Sequence, residues 1–406
     1  MDKLIGSMLA IVCIGFAVHE DGEDRQGGRD LDAVVASVRR HGGRVEFGKG
    51  DERRTVRAVY LDWNSSKMRA RDRAGDDALA SIETLDTLEL LSLRMTQITD
   101  EGLARLTKLV RLKHLNLTHT RVTGYGLSQL EAMTELEILL LDGTWVNDRT
   151  LSKLPKFAKL RKLGLSNTNI TDNAVGGLTR YTSLESLDLS GTRVGSDALT
   201  ALGMLPRLQV LDVTGTRCDD EIWKALAGVP MLRELYAGDT EVTAVGAGQL
   251  RGLAHLDTLF LDRTEINRVG ASEVMQLSGL KHLSLDDTDV DDEMLKGIDA
   301  LPALETLSLD GPQVTDAAMS NIRKLRGLTT LLLADTAVTD AGLRELGEMP
   351  ALQELNLDRT KITDEGLSHV LRFPNLERIS LWETEVTDGG VERLRAARPK
   401  LEVSGN

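Results

Sequence analysis

The sequence predicts an α/β solenoid: a curved arc with a concave parallel sheet and short convex helices, built from thirteen repeats of 24 residues between two caps. Three observations carry this expectation. Leucine returns with a period of 24 from Leu88 to Leu376. Inside each period, two apolar positions alternate as on a strand with one buried face. A turn rich in Thr, Asn and Asp then opens a run of apolar residues at helical spacing.

Counting Leu88 as position 1, the template is L-x-x-L-x-L-x-x-T-x-[IV]-[TND]-D-x-x-L-x-x-L. Position 1 is Leu in every repeat, position 4 departs only at Ile379, and position 6 only at Val213 and Ala237. Positions 4 and 6 therefore mark the buried face of a short strand. Position 12 is Thr, Asn, Asp or Gly throughout, as in Thr99, Asn147, Gly195 and Asp219, which suits a helix N-cap. Asp follows at position 13 in nine repeats, where its charge favours the positive end of a helix dipole. Leu103, Leu106 and Leu109 then read as a short helix, and Pro206, Pro230, Pro302, Pro350, Pro374 and Pro399 stop such helices two residues before the next strand leucine. A unit this small cannot bury its own leucines, so neighbours must stack. Strands stack about 4.8 Å apart and helices about 8–10 Å apart, which bends the array with its strands inside.

These residues resemble leucine-rich repeats, and the T-x-[IV]-T-D-x-G-L form at Thr360 to Leu367 is similar to the repeats of bacterial and F-box-type leucine-rich proteins. The resemblance spans residues 88–394. One departure is that the family's usual Asn at position 9 is Thr in twelve repeats and Pro312 in the other. A Thr hydroxyl can still bond backbone groups along the turn.

Residues 31–87 read as an N-terminal α/β cap with an irregular first repeat: a helix over 31–41, strands over 44–47 and 55–62, then a polar excursion over 64–75. Residues 395–406, with Leu401 and Val403 starting a last strand, read as the C-terminal cap. At the other extreme, Lys3 precedes an apolar run from Leu4 to Val18, and Gly15-Phe16-Ala17 offers a small-x-small cleavage site. That run is short for a membrane span and suits a signal-like segment, 1–18, followed by a polar linker, 19–30. Export to the periplasm, cell surface or medium is the expectation. An uncleaved anchor is the one route to a membrane, and a nonfunctional signal would leave the chain cytoplasmic.

A net charge of −14, from 49 Lys and Arg against 63 Asp and Glu, disfavours nucleic acid as a partner, which calls for clustered positive charge. Only Cys13 and Cys218 occur, so no disulfide framework or paired-Cys metal motif exists. No hydrolase, phosphate-binding or dinucleotide fingerprint is present, and Gly246-Ala-Gly248 lacks the third glycine. His114 and His119 share one strand without a third ligand. The chain reads as non-enzymatic, without a cofactor or metal site.

Partner information must then lie at positions 3, 5, 7 and 8, which face the concave side. They hold 13 acidic and 5 basic residues over the repeats, a difference of −8, so an acidic trough suited to a basic protein or peptide is expected. Asp262, Asp286 and Asp310 fill position 7 of successive repeats, where like charges one strand apart repel. Arg263, a cation, a basic partner or solvent alone could offset this. The run Asp286 to Glu293 invites a calcium reading but lacks the glycine and spacing of a calcium loop. Tyr236 and Phe260 are neighbours in the position 5 column, readable as an exposed interface pair or as cover for the thin layer left by Ala237. Asp358, and Trp382 beside Arg378 and Glu383, complete the candidate surface. An intracellular adaptor resembling F-box proteins is the alternative, and it would need a helical recruiting module ahead of the array. An enzyme with an unrecognised site is a third.

Overall fold

The computed structural model describes residues 28–48, 55–63, 73–243, 245, 250, 252–253 and 255–405. The signal-like segment 1–18, most of the linker, part of the polar excursion and Gly246-Ala-Gly248 lie outside them. Sixteen strands form one open sheet in strict sequence order. Helix α1 (Gly28–Arg40) leads into β1 (Arg44–Phe47), which pairs antiparallel with β2 (Val56–Tyr60). Every later pairing is parallel, from β3 (Leu90–Ser92) to β15 (Arg378–Leu381) and β16 (Glu402–Gly405). The 24-residue period is kept without a slip: Leu91 pairs with Leu115, Leu259 with Leu283, and Leu355 with Ile379.

Burial explains the template. The position 1 leucines are at most 3% exposed. Those at positions 4 and 6 are equally buried and merge with the position 11 aliphatics and the helix leucines into one continuous core. In the twelve repeats with Thr at position 9, its hydroxyl donates to the position 6 carbonyl three residues back, at 2.5–2.9 Å. Thr thus clamps its own turn. The convex segments are shorter and tighter than ordinary helices, some a single α turn continuing as 3-10, such as Asp100–Leu103 into Ala104–Lys108.

Position 12 caps these segments as its residue types require; Thr99 accepts from Glu101 N, and Asn147 and Thr150 form a reciprocal capping box. The Asp at position 13 does more than complement a dipole. Its carboxylate reaches into the following repeat and accepts both the backbone N–H and the hydroxyl of the next position 12 Thr. Asp340, for example, takes Thr363 N at 2.9 Å and Thr363 Oγ1 at 2.6 Å. The same link joins Asp76 to Thr99, Asp100 to Thr123, Asp316 to Thr339 and Asp364 to Thr387. One repeat's helix start therefore holds the next.

Candidate concave recognition surface

A strand of three residues leaves backbone groups without ladder partners, and the concave acids answer that need. The position 6 and position 8 amides bond the following strand, as Leu309 N does to Leu332 O at 3.0 Å and Arg263 N to Asp286 O at 2.8 Å. The position 7 amide between them has no such acceptor. In ten repeats a side-chain carbonyl or carboxylate oxygen takes it, from position 5 of the same repeat or from the preceding concave column. Asp188 and Asp212 serve the former way, while Asp262, Asp286, Asp310 and Asp358 accept from Asp286, Asp310, Ala334 and Trp382 respectively.

This arrangement changes the reading of the stacked aspartates. Asp262 and Asp286 are 5% and 2% exposed, not displayed to solvent, and Asp310 is half-buried. Their negative charge is offset by backbone amides and by the Ser284 hydroxyl, which donates to Asp262. Burial, and then the charge of Asp286, pushes Asp262 up to about 6 and Asp310 up to about 7; burial raises Asp286 as well. Asp212 is likewise pushed up to about 7 by burial and by Asp188. Arg263, one of the groups that could offset the stack, forms a two-point pair with Asp239, its Nε 2.6 Å from Oδ1, and its charge also eases that of Asp262. Arg359 repeats the geometry with Asp335 at 2.6 Å on both contacts. Among the described residues no group of three or more His, Cys, Asp or Glu is placed to hold a metal ion. Within the run Asp286 to Glu293, Asp291 caps Met294 N and Asp292 takes Thr315.

All thirteen position 8 residues have left-handed backbone, from Met95 at φ 60° to Glu383 at 57°. The sequence carried a signal for this, because Gly, Asn and Asp, the residues that tolerate αL, fill eight of these thirteen positions. Asp239, Asp287 and Asp335 therefore suit a bend as much as a partner. Part of the acidic excess is conformational in origin.

Tyr236 and Phe260 are neighbours, with ring centroids 5.1 Å apart and planes at 79°. They are nevertheless only 3% and 6% exposed, so an exposed aromatic pair is not what the structure displays. The two rings pack edge to face on the concave side of the sheet. The Tyr236 hydroxyl donates to Glu234 at 3.0 Å, and burial with that acidic neighbour holds the phenol protonated.

What remains open is a trough of about 580 Å³ that starts at Phe260 and runs past the last repeat to β16. Its floor is the position 5 column, with Ser284, Ser308, Leu332, Asn356, Ser380 and Ser404. Asp286, Asp310, Asp358 and Trp382 form one wall, and Thr306, Glu354, Arg378 and Glu402 the other. Trp382 is 52% exposed, and Arg378 is bonded to Glu354 at 2.9 Å. Ser308 is buried; its hydroxyl steadies the Asp286 charge but has no hydrogen bond of ordinary geometry. The predicted surface thus divides: Asp286, Asp310, Asp358 and Trp382 share the trough, Phe260 closes its end, and Tyr236, Asp262 and Arg263 are outside its lining.

The Leucine Rich repeat family model matches residues 85–106, 182–203 and 349–370. No curated protein matches the chain in sequence. Among solved structures, an internalin from Listeria monocytogenes is similar at 20% identity with a TM-score of 0.53, covering 93% of this chain and 94% of its own. A leucine-rich repeat protein of Leptospira interrogans is similar at 20% identity with a TM-score of 0.54, covering 81% of this chain and 87% of its own. The fold is a leucine-rich repeat solenoid with an open sheet.

Proposed function

We propose that this leucine-rich repeat protein is a non-enzymatic scaffold that binds an extended basic segment of a protein or peptide along the trough of repeats 8 to 13 and β16. The trough itself carries the reading. Its lining holds the accessible carboxylates Glu354, Asp358 and Glu402, the half-buried Asp310 and the buried Asp286, against the single cation Arg378. From Phe260 to Ser404 the floor crosses seven strands, about 29 Å at 4.8 Å per step, which matches eight or nine residues of extended chain. A low floor of serines leaves room for a backbone, and Trp382 offers an open ring face for a cationic side chain beside Asp358.

Export fits the apolar run from Leu4 to Val18, and the membrane enters only if that segment stays uncleaved. Among the described residues no helix is long and apolar enough to cross a membrane.

Calorimetric titration of the full chain with a nine-residue Arg/Ser peptide tests the reading. Binding is expected to weaken about tenfold on Trp382→Ala, consistent with a hot-spot aromatic, and further as salt rises. Equal affinity for an Asp/Ser peptide of the same length, or no effect of Trp382→Ala, would overturn it.

A further inference from the structure

One exposed column lies off the concave face. Position 10 sits between the buried Thr of position 9 and the buried aliphatic of position 11. Its amide bonds the position 11 carbonyl of the preceding repeat, as Arg193 N does to Ile170 O at 3.1 Å, Arg217 N to Val194 O at 3.0 Å, and Glu265 N to Val242 O at 3.1 Å. These bonds hold the column in a row along one edge of the solenoid, with steps of about 4.8 Å.

Charge along this row changes sign at one point in repeats 2 to 9. Arg121, Arg193 and Arg217 stand on one side, with Trp145 among them; Glu241, Glu265 and Asp289 stand on the other. All are exposed, Trp145 to 61%. Elsewhere the solenoid pairs charges between successive repeats, as in Arg161 with Glu185 and Arg359 with Asp335. Among the described residues none of the six charged side chains on this row enters an ion pair, not even Arg217 and Glu241 where the sign changes.

We propose that this edge binds a second copy of the same chain, through a two-fold axis passing between Arg217 and Glu241. An antiparallel apposition there sets Arg217 against the partner's Glu241, Arg193 against the partner's Glu265, and Asn169 against the partner's Asp289. Symmetry doubles each contact, as an isologous interface requires. Moving the axis half a repeat in either direction brings Arg217 or Glu241 onto its own copy, so the charge pattern selects one register. At the ends, Trp145 meets the partner's Gln313 and loses part of its exposure to water. The row from Trp145 to Gln313 is about 34 Å long and about 10 Å wide, giving roughly 700 Å² in total, which is the size of a transient contact. The dimer is accordingly weak and sensitive to salt.

Sedimentation of the full chain over a range of concentrations tests this. Wild type is expected to dimerise reversibly at low salt and to dissociate at high salt. R193E/R217E and E241R/E265R should each weaken self-association more than about tenfold, because both copies of the patch are affected. Mixing these two variants should give a one-to-one dimer, and the chain carrying all four reversals should dimerise with itself again. A wild type that stays monomeric at its solubility limit would overturn the proposal. So would double variants that associate like wild type, or a fourfold variant that remains monomeric while keeping the wild-type circular dichroism and melting temperature.

Discussion

Asp310→Asn is expected to stabilise the protein by about 2–4 kcal/mol at pH 8 and to change little at pH 4. The carboxyl of Asp310 accepts Ala334 N at 2.7 Å, and burial beside Asp286 pushes its folded value up to about 7 from 3.8. An acid whose folded value is raised binds its proton more tightly in the native state. Its contribution to stability is complete below the unfolded value and is lost as pH rises through the folded one, here between about 4 and 7. Asparagine keeps an oxygen for Ala334 N and removes the charge, so it forgoes this loss. His114 and His282, held low by burial, act in the opposite sense and lose native stability as pH falls through their unfolded value of 6.5. Whole-protein curves sum these effects. The difference between variant and wild type isolates Asp310. Denaturant unfolding at pH 4, 6 and 8 measures it, and a difference constant with pH would show that Asp310 is ionised without penalty in the native state.

That result bears on why the sequence disclosed the scaffold more readily than the surface. Strand leucines, turn threonines and cap residues are fixed by side-chain type at a recurring position, so a period of 24 displays them directly. The work of Asp262, Asp286 and Asp310 depends on which backbone amides lack a ladder partner, and that is decided only when neighbouring strands have been placed. Tyr236 and Phe260 were legible as neighbours, since both sit in the position 5 column. Their burial was not, because it depends on how the two rings pack, edge to face with centroids 5.1 Å apart, once the strands are placed. Arg263 could face Asp239 or Asp262 on sequence grounds; a left-handed bend at position 8 in both repeats carries Arg263 and Asp239 along the same rim, where their side chains meet. Repeated acids on a concave sheet are thus ambiguous until each carboxylate has been checked for an amide. In this protein Asp358 satisfies an amide and also lines the open trough.

Gly366→Ala is expected to cost about 3 kcal/mol, a large loss for one methyl group, and to cost far less when Asp340 is already alanine. A Cβ on Gly366 would stand 2.2 Å from Asp340 Oδ1 and 3.0 Å from Ile362 Cγ2. Asp340 can make room only by leaving Thr363, whose N–H and hydroxyl it holds at 2.9 and 2.6 Å. Two charge-assisted bonds between repeats are lost together, and the cap of the helical turn loosens with them. The same crowding recurs at Gly102 with Asp76, Gly342 with Asp316 and Gly390 with Asp364, which accounts physically for the T-D-x-G spelling: glycine leaves space for the aspartate of the preceding repeat. Repeat 2 offers a natural control. Its position 13 is Gly124, and the next repeat carries Thr150 where glycine stands elsewhere, with the two in such contact that a Cβ on Gly124 would lie 2.3 Å from Thr150 Cβ. Space and bulk have been exchanged across one interface. A double-mutant cycle on Gly366 and Asp340, read by urea unfolding, should give a coupling energy of about 2 kcal/mol. Gly366 has ordinary helical backbone, φ −58° and ψ −35°, so equal costs of Gly366→Ala in both backgrounds would place the penalty in the contact with Ile362 instead of in the link between repeats.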